Sequence, residues 1–158
     1  MSPSVLDASA AGRQMWFDKN HPDVLYVDRR TAPAGYIPEQ PGFTIEPDVQ
    51  ADFTALPFAD ATFHLVVFDP PHAEVSATSI TGKKYGTLFG DWRPVIAEGF
   101  AECWRVLAAP GTLIFKWNEA AVTIREVLDL FDVEPLFGHT TAKSGSTKWM
   151  TFYKGIGG

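Results

Sequence analysis

Short apolar segments, separated by polar and turn-forming residues, recur along the whole chain. The segments with the length and side chains of strands are residues 5–8, 24–27, 65–68, 112–117, 133–137 and 148–153. Segment 65–68, Leu-Val-Val-Phe, is apolar without alternation, which is typical of a parallel strand covered on both faces. Because helical patterns lie between several of these segments, the sequence predicts an α/β fold.

Two stretches have the spacing of amphipathic helices. In the first, Asp91 can cap a helix with Pro94 in its first turn, and residues 109–111 would end it. Its apolar stripe consists of Ile96, Phe100, Cys103, Trp104 and Leu107. The second stripe consists of Ile124, Val127, Leu128 and Phe131. A weaker helical pattern occurs around residues 15–17, between the first two predicted strands.

Two longer stretches, residues 31–47 and 73–90, are rich in loop-forming residues. Loops of this length in a compact domain are usually functional or mobile. The last two predicted strands are separated only by residues 138–146, which is too short for a crossover helix. We therefore expect those two strands to form an antiparallel hairpin.

Composition indicates one globular domain. A chain of 158 residues, 46% hydrophobic and 20% charged, is long enough for a single core, so we expect one domain over residues 1–158 without a separate target-recognition domain. The sequence has no apolar run long enough to span a membrane, so we expect a cytoplasmic protein. Cys103 is the only cysteine, which excludes an internal disulfide and a cysteine-based zinc site.

The net charge is acidic, at −6 with a pI near 5.1. Such a charge argues against a broad surface that grips nucleic acid through its phosphates. Affinity for nucleic acid would then depend on a few local cations.

The most informative motif is Asp69-Pro70-Pro71-His72, which follows the apolar segment 65–68 directly. Proline cannot donate to a strand ladder and has a fixed φ, so the motif ends the strand in one rigid shape. Open α/β sheets bind their ligands at the carboxyl ends of strands. The motif therefore predicts a catalytic loop; the alternative is a strand terminator with an exposed histidine.

This tetrapeptide resembles the Asp-Pro-Pro-Tyr motif of S-adenosylmethionine-dependent amino-methyltransferases, which methylate an exocyclic nitrogen of adenine or cytosine in nucleic acid. The resemblance implies that Asp69 and the Pro70 carbonyl accept hydrogen bonds from the target amino group. It also implies that the fourth residue stacks on a flipped base. His72 offers a smaller, titratable ring in that place. The expected catalytic residues are Asp69, Pro70, Pro71 and His72.

Acidic residues follow the first strands in order. Asp7 precedes a turn of small residues that ends at Gly12, Asp28 ends the second strand, and Asp52 precedes Phe53. Doubly wound nucleoside-binding folds place an acid for the ribose hydroxyls about twenty residues after the glycine-rich turn. A single glycine in that turn makes a dinucleotide fingerprint improbable.

Together these features resemble the seven-stranded, Rossmann-like methyltransferase fold over nearly the whole chain, and in particular its small phage-type or bacterial nucleic-acid members. Residues 56–69 and 111–117 also match that fold. The resemblance implies a mostly parallel sheet with an antiparallel C-terminal strand and helices on both faces. It implies S-adenosylmethionine as cofactor, with Asp7, Ala8 and Gly12 near its methionine part, Asp28 at its ribose, and Asp52 and Phe53 at its adenine.

Two further groups are candidates for binding the substrate. Lys83, Lys84 and Tyr85 follow the catalytic motif and suit phosphate contact and base stacking, although adjacent lysines also occur on any solvated surface. The neighbouring strand ends with Lys116-Trp117-Asn118, which could line the same cleft; Trp117 would equally suit core packing.

The leading hypothesis is therefore a DNA adenine-N6 methyltransferase that uses in-line displacement and requires no metal. The target base in the DNA would be flipped out of the duplex or would lie in a single strand. Added DNA contacts could come from dimerisation. Alternatives are methylation of RNA, of cytosine N4 or of a small molecule, and a non-catalytic module that binds S-adenosylmethionine.

Overall fold

The computed structural model describes residues 2–88, 90–139 and 146–157. Its strands are β1 (Val5–Asp7), β2 (Val24–Asp28), β3 (Val49–Gln50), β4 (Phe63–Phe68), β5 (Leu107–Asn118), β6 (Phe137–Gly138) and β7 (Thr147–Lys154). They form one seven-stranded sheet in the order β3-β2-β1-β4-β5-β7-β6. Along the sheet, the five strands β3, β2, β1, β4 and β5 are each parallel to the next. Strand β7 is antiparallel to both of its neighbours, β5 and β6. The α/β class, the mostly parallel sheet and the C-terminal hairpin are confirmed.

The described helices are α1 (Ile80–Tyr85), α2 (Trp92–Val106) and α3 (Ile124–Leu128). The helix predicted after Asp91 corresponds to α2, but it ends before residues 109–111 because Leu107 already has extended backbone angles and begins β5. In α3, Thr123 and Glu126 form a capping box that stabilises the first turn. The connection between β1 and β2 consists of turns. Within the described residues, no helix is both long and apolar enough to cross a membrane.

Two segments differ from the prediction. The strand expected at residues 133–137 is present only at Phe137–Gly138, because pairing with β7 reaches only those two residues. The expected loop 73–90 contains α1, whose N-cap Ser79 accepts a hydrogen bond from the amide of Gly82. A Cβ at Gly82 would lie 2.1 Å from the Ser76 carbonyl oxygen, so this helix packs closely on the preceding loop.

The main core lies between the sheet and α2. Its largest members include Leu6 of β1, Phe68 of β4, Phe100 of α2, and Phe115 and Phe152 of β5 and β7. Cys103 of α2 is fully buried in this core, and burial raises the pKa of its thiol. The apolar stripe on which the sequence placed Cys103 therefore faces the core at this residue.

The long loop 31–47 has a small core of its own. Its buried members are Ala32, Ile37, Phe43 and Ile45, and Ala32 pairs with Ile45 through an antiparallel bridge. The loop packs against the turn after β1, since a Cβ at Gly12 would lie 2.5 Å from Cε2 of Phe43. This loop is therefore an ordered wall beside that turn.

Candidate active site

The carboxyl ends of β1, β2, β4 and β5 border a cavity of about 340 Å³. Its position is where open α/β sheets bind ligands, and its volume is in the range of small-molecule sites. The sequence-predicted residues that line it are Ala8, Gly12, Asp28, Phe53, Asp69, Pro70, Pro71, His72, Tyr85 and Lys116. The structure therefore brings most of the candidate cofactor and catalytic residues to one cavity.

The turn after β1 has a strained backbone. Ala11 and Arg13 have φ angles of 45° and 56°, in the left-handed region that side chains other than glycine rarely adopt. This bend lets the Ala11 amide donate to Oδ2 of Asp28 at 2.9 Å. The Ser9 hydroxyl accepts a hydrogen bond from the Asp69 amide at 2.9 Å. The turn is thereby tied to β2 on one side and to the candidate catalytic motif on the other.

Asp28 is held by several donors at the end of β2. Its Oδ1 accepts from the backbone amide and from Nε of Arg30, at 2.9 and 3.3 Å. The same guanidinium donates to the carbonyls of Lys83 and Lys84, each at 3.1 Å. Arg30 therefore connects the candidate ribose-binding acid to the last turn of α1.

Asp7 lies beneath the turn rather than in the cavity lining. Its side chain is fully buried and accepts hydrogen bonds from Nε1 of Trp16 at 2.7 Å and from the Ser9 amide at 3.1 Å. Burial raises the pKa of Asp7 to about 7, against the lowering effect of these two hydrogen bonds. Asp7 thus supports the turn from below.

The adjacent residues Asp52 and Phe53 have different positions. Phe53 lines the cavity and contacts Phe68 edge to face, with ring centroids 5.0 Å apart. Asp52 is exposed outside the lining, where its Oδ1 accepts from the amide and hydroxyl of Thr54 at 2.9 and 2.8 Å. Of this pair, only the ring is available to a ligand in the cavity.

Asp69 makes an ion pair with the neighbouring strand. Lys116 Nζ lies 3.1 Å from its Oδ2, while Nδ1 of His72 lies 3.9 Å from its Oδ1, beyond hydrogen-bond distance. Among the described residues, both Oδ1 and Nδ1 are buried without a hydrogen-bond partner. Burial raises the pKa of the Asp69 carboxyl, and the Lys116 charge opposes that rise.

His72 forms part of the cavity wall. Its side chain is 23% exposed, and its ring meets Trp117 edge to face at 6.0 Å. Burial lowers the pKa of His72 below its ordinary 6.5, and the nearby Asp69 charge only partly compensates. The ring is therefore neutral at pH 7, and it is more enclosed than a simple exposed strand terminator would be.

Lys83 and Lys84 lie outside the lining. The ammonium of Lys83 lies 5.6 Å from the ring centroid of Tyr36, and that of Lys84 lies 5.3 Å from the centroid of Tyr85. Tyr85 itself lines the cavity, and its hydroxyl donates to Oε1 of Gln14. The two lysines border the site through ring contacts and do not enter it.

The three candidate residues at the end of β5 have different surroundings. Lys116 lines the cavity, whereas Trp117 is fully buried and donates from Nε1 to the Val122 carbonyl at 2.8 Å. Because successive side chains point to opposite faces, Trp117 belongs to the core and has no surface for a substrate. Asn118 lies outside the lining and donates to the Thr147 hydroxyl at 3.2 Å.

Several lining residues were not among the individually named candidates. They are Ser9, Ala10, Ala11, Gln14, Met15, Arg29, Arg30, Gly86 and Thr147. The first three lie within the small-residue turn, and Arg29 and Arg30 directly follow Asp28, so position along the chain could have identified them. Gln14, Gly86 and Thr147 reach the cavity through long-range packing that leaves no local pattern.

No protein-family model and no curated protein matches this chain. Solved structures do match. NodS, an N-methyltransferase from Bradyrhizobium japonicum, has a TM-score of 0.57 and 13% identity over 98% of this chain and 86% of its own. A 16S rRNA (adenine(1408)-N(1))-methyltransferase from Catenulisporales acidiphilia has a TM-score of 0.52 and 9% identity, over 94% and 83% of the two chains.

A third similar structure is the Burkholderia thailandensis 1,6-didemethyltoxoflavin-N1-methyltransferase, solved with 1,6-didemethyltoxoflavin and S-adenosylhomocysteine bound. Its TM-score is 0.52 and its identity 16%, over 98% of this chain and 72% of its own. At such identities these similarities show the fold. The chain therefore has the Rossmann-like fold of these methyltransferases.

Proposed function

We propose that this protein is an S-adenosylmethionine-dependent methyltransferase that acts on an amino nitrogen, with N6 of adenine in DNA as the acceptor. The observation that carries the proposal is the shared cavity: Asp69, Pro70 and His72 line it together with Gly12 and Asp28. A motif that suits the methyl acceptor and a pocket that suits a nucleoside lie in one cavity. This arrangement suits methyl transfer between two bound molecules.

The cavity residues fit S-adenosylmethionine. The small side chains from Ala8 to Gly12 leave the backbone open to close approach, Asp28 stands where a ribose would be held, and Phe53 offers a ring to the adenine. When bound, this cofactor supplies an electrophilic methyl group on a sulfonium. The bound S-adenosylhomocysteine in the Burkholderia thailandensis enzyme supports the same cofactor here.

The acceptor side of the cavity suits a hydrogen-bond donor. Oδ1 of Asp69 is buried without a partner among the described residues, and such an oxygen gains most from an N–H group. An aromatic amine is a weak nucleophile because its lone pair is delocalised. Hydrogen bonds from that amine to Asp69 and the Pro70 carbonyl favour a pyramidal, reactive nitrogen.

Transfer of labelled methyl groups to DNA and to RNA, followed by nucleoside analysis, tests the proposal. We expect N6-methyladenine from DNA, its loss in Asp69→Ala, and its retention in Asp132→Asn, a change at an exposed acid outside the cavity lining. Label in DNA that survives Asp69→Ala would contradict the mechanism. Binding of S-adenosylhomocysteine without transfer to any acceptor would instead identify a non-catalytic module.

A second candidate acceptor is a small aromatic amine. The net charge of −6, and the position of Lys83 and Lys84 outside the cavity lining, favour an acceptor without phosphates. The two acceptors differ in salt dependence, because binding to DNA releases counterions and weakens steeply with salt. Transfer that is insensitive to salt and confined to small amines would favour the second candidate.

A further inference from the structure

The register of the central strands brings Lys116 to Asp69. Phe68 of β4 pairs with Phe115 of the parallel strand β5, so the next residue of each strand, Asp69 and Lys116, are neighbours at the edge of the cavity. Lys116 Nζ and Oδ2 of Asp69 are 3.1 Å apart, and their side chains are 25% and 13% exposed. An ion pair this enclosed is screened little by solvent.

The remaining contacts hold the Asp69 group in one orientation. Its backbone amide donates to the Ser9 hydroxyl at 2.9 Å, and Lys116 occupies Oδ2. His72 is too distant from Oδ1 for a hydrogen bond, at 3.9 Å. Oδ1 is therefore the carboxylate oxygen that remains to accept a hydrogen bond from the amino group to be methylated.

The ammonium of Lys116 has little freedom to contact a phosphate instead. Besides Asp69, it lies over the Trp149 ring, 5.5 Å from the centroid. Removing one partner of an enclosed ion pair leaves an uncompensated charge, which is strongly unfavourable. These contacts favour a role for Lys116 directed at Asp69 and not at the substrate backbone.

We propose that Lys116 is a positioning residue that holds Asp69 as a carboxylate, with Oδ2 occupied and Oδ1 presented to the acceptor amino group. This rests on the proposed function, because the acceptor is the amine to be methylated. In the transfer, the nitrogen lone pair would form a bond to the methyl carbon while the bond from that carbon to the sulfonium sulfur breaks, and the electron pair of the broken bond would stay on the sulfur, which becomes a neutral thioether. The acceptor nitrogen would then carry one positive charge, and loss of one proton to solvent would return it to neutrality. A protonated Asp69 would donate a hydrogen bond where the amine needs an acceptor.

Among the residues that the structure describes, three titratable groups act on Asp69 or respond to its charge. They are Lys116 on β5, His72 in the same loop, and Asp7 on β1, whose pKa the Asp69 charge helps to raise. Burial raises the pKa of Asp69, and Lys116 is the main opposing influence. Without Lys116 the pKa of Asp69 rises further, so the fall of activity at acid pH begins at a higher pH.

The test compares Lys116→Met, Lys116→Gln and Lys116→Arg with Lys19→Met, which changes an exposed lysine outside the cavity lining. Glutamine keeps a donor without the charge, and arginine keeps the charge. Methyl transfer to DNA is measured from about pH 5 to about pH 9. In the ligand-free proteins, carbon-13 NMR follows titration of the Asp69 carboxyl.

We expect kcat to fall roughly 10- to 100-fold at pH 7 in Lys116→Met and Lys116→Gln, to recover as the pH is raised, and to be largely restored in Lys116→Arg. KM for DNA should change by less than about threefold, since no phosphate contact is lost. The Asp69 titration should move to higher pH in the two uncharged variants and stay in place in Lys19→Met and Lys116→Arg.

An unchanged Asp69 titration in Lys116→Gln would overturn the inference, as would a large rise in KM with kcat unaltered. Lys116→Gln and Lys116→Arg keep the test decisive if Lys116→Met does not fold. If the wild-type protein methylates no acceptor, the proposed function fails, but the carboxyl titration still decides whether Lys116 controls Asp69.

Discussion

The backbone amide of Ala11 donates a 2.9 Å hydrogen bond to Oδ2 of Asp28, 17 residues further along the chain. This bond holds the turn after β1 against the end of β2, at the wall of the cavity. Because Ala11 has a φ angle of 45°, the turn is strained, and the bond to Asp28 offsets part of that strain. The acid proposed to hold the cofactor therefore also shapes the turn beside it.

We predict that Asp28→Asn weakens binding of S-adenosylhomocysteine at least about tenfold. One carboxylate oxygen becomes an amino group, so either Ala11 or Arg30 faces a donor instead of an acceptor, and the hydroxyls of a ribose lose an acceptor. Titration calorimetry measures the affinity. Asp23→Asn, at an exposed acid before β2, serves as the matched control. Equal affinity in both variants would remove Asp28 from the cofactor site.

Phe53 and Asp52 should contribute unequally to cofactor binding. Phe53→Ala removes a ring from the cavity lining and should weaken S-adenosylhomocysteine binding roughly tenfold. Asp52→Asn changes an exposed side chain outside the lining and should alter the affinity less than about twofold. The same calorimetric titration compares them. A larger loss in Asp52→Asn would mean that the acid moves into the cavity when the ligand binds.

Trp117→Phe should destabilise the fold without weakening the cofactor site. The change removes buried ring volume and leaves the Val122 carbonyl without its 2.8 Å donor. We expect a loss of about 2 kcal/mol in the free energy of unfolding, measured by urea denaturation. Trp149→Phe, at a partly exposed ring, should cost less than about 1 kcal/mol. If Trp117→Phe kept the free energy of unfolding of the wild type but transferred methyl groups poorly, Trp117 would belong to the substrate site after all.

Asp7 should make the stability of the protein depend on pH. Its pKa is about 7 in the folded chain, against an ordinary 3.8, so the folded state keeps a proton that the unfolded state has released between these values. The free energy of unfolding therefore decreases as pH rises through this window, by about 2 kcal/mol between pH 5 and pH 7. Well above pH 7 both states are ionised and this dependence ends.

Urea denaturation at pH 5 and pH 8 measures this effect. In Asp7→Asn the difference between the two pH values should shrink by most of that amount, whereas Asp132→Asn, at an exposed acid, should leave it unchanged. The same pH difference in Asp7→Asn and the wild type would assign the dependence to another group.

Local signals explain why strand β4 could be predicted. Segment 65–68 is continuously apolar, and Pro70 and Pro71 end it at once, so both the strand and the location of Asp69 follow from neighbouring residues. The alternation of side chains along β5 is an equally local signal, and it indicates that Trp117 lies in the core. Because side chains two apart share a face, Phe115 and Trp117 belong together in the core, and Lys116 belongs to the other face.

The remaining differences depend on contacts between distant residues. Gly82 weakens a helical pattern locally, yet α1 forms because its missing side chain permits close packing on Ser76. Arg30 reaches the carbonyls of Lys83 and Lys84 across more than fifty residues of chain. The apolar content of residues 133–137 could not show where β7 would pair, and only the last of them joined the sheet.

The pairing of β7 with β5 also affects how the protein is made. Residues 111–118 pair with residues 147–154 along their whole length, and Met150 and Phe152 enter the core from the later strand. Until residue 154 has left the ribosome, the strand that carries Lys116 presents an open edge to other nascent chains. The motif Asp69-Pro70-Pro71-His72, although translated much earlier, thus acquires its complete surroundings only after residue 154 has been made.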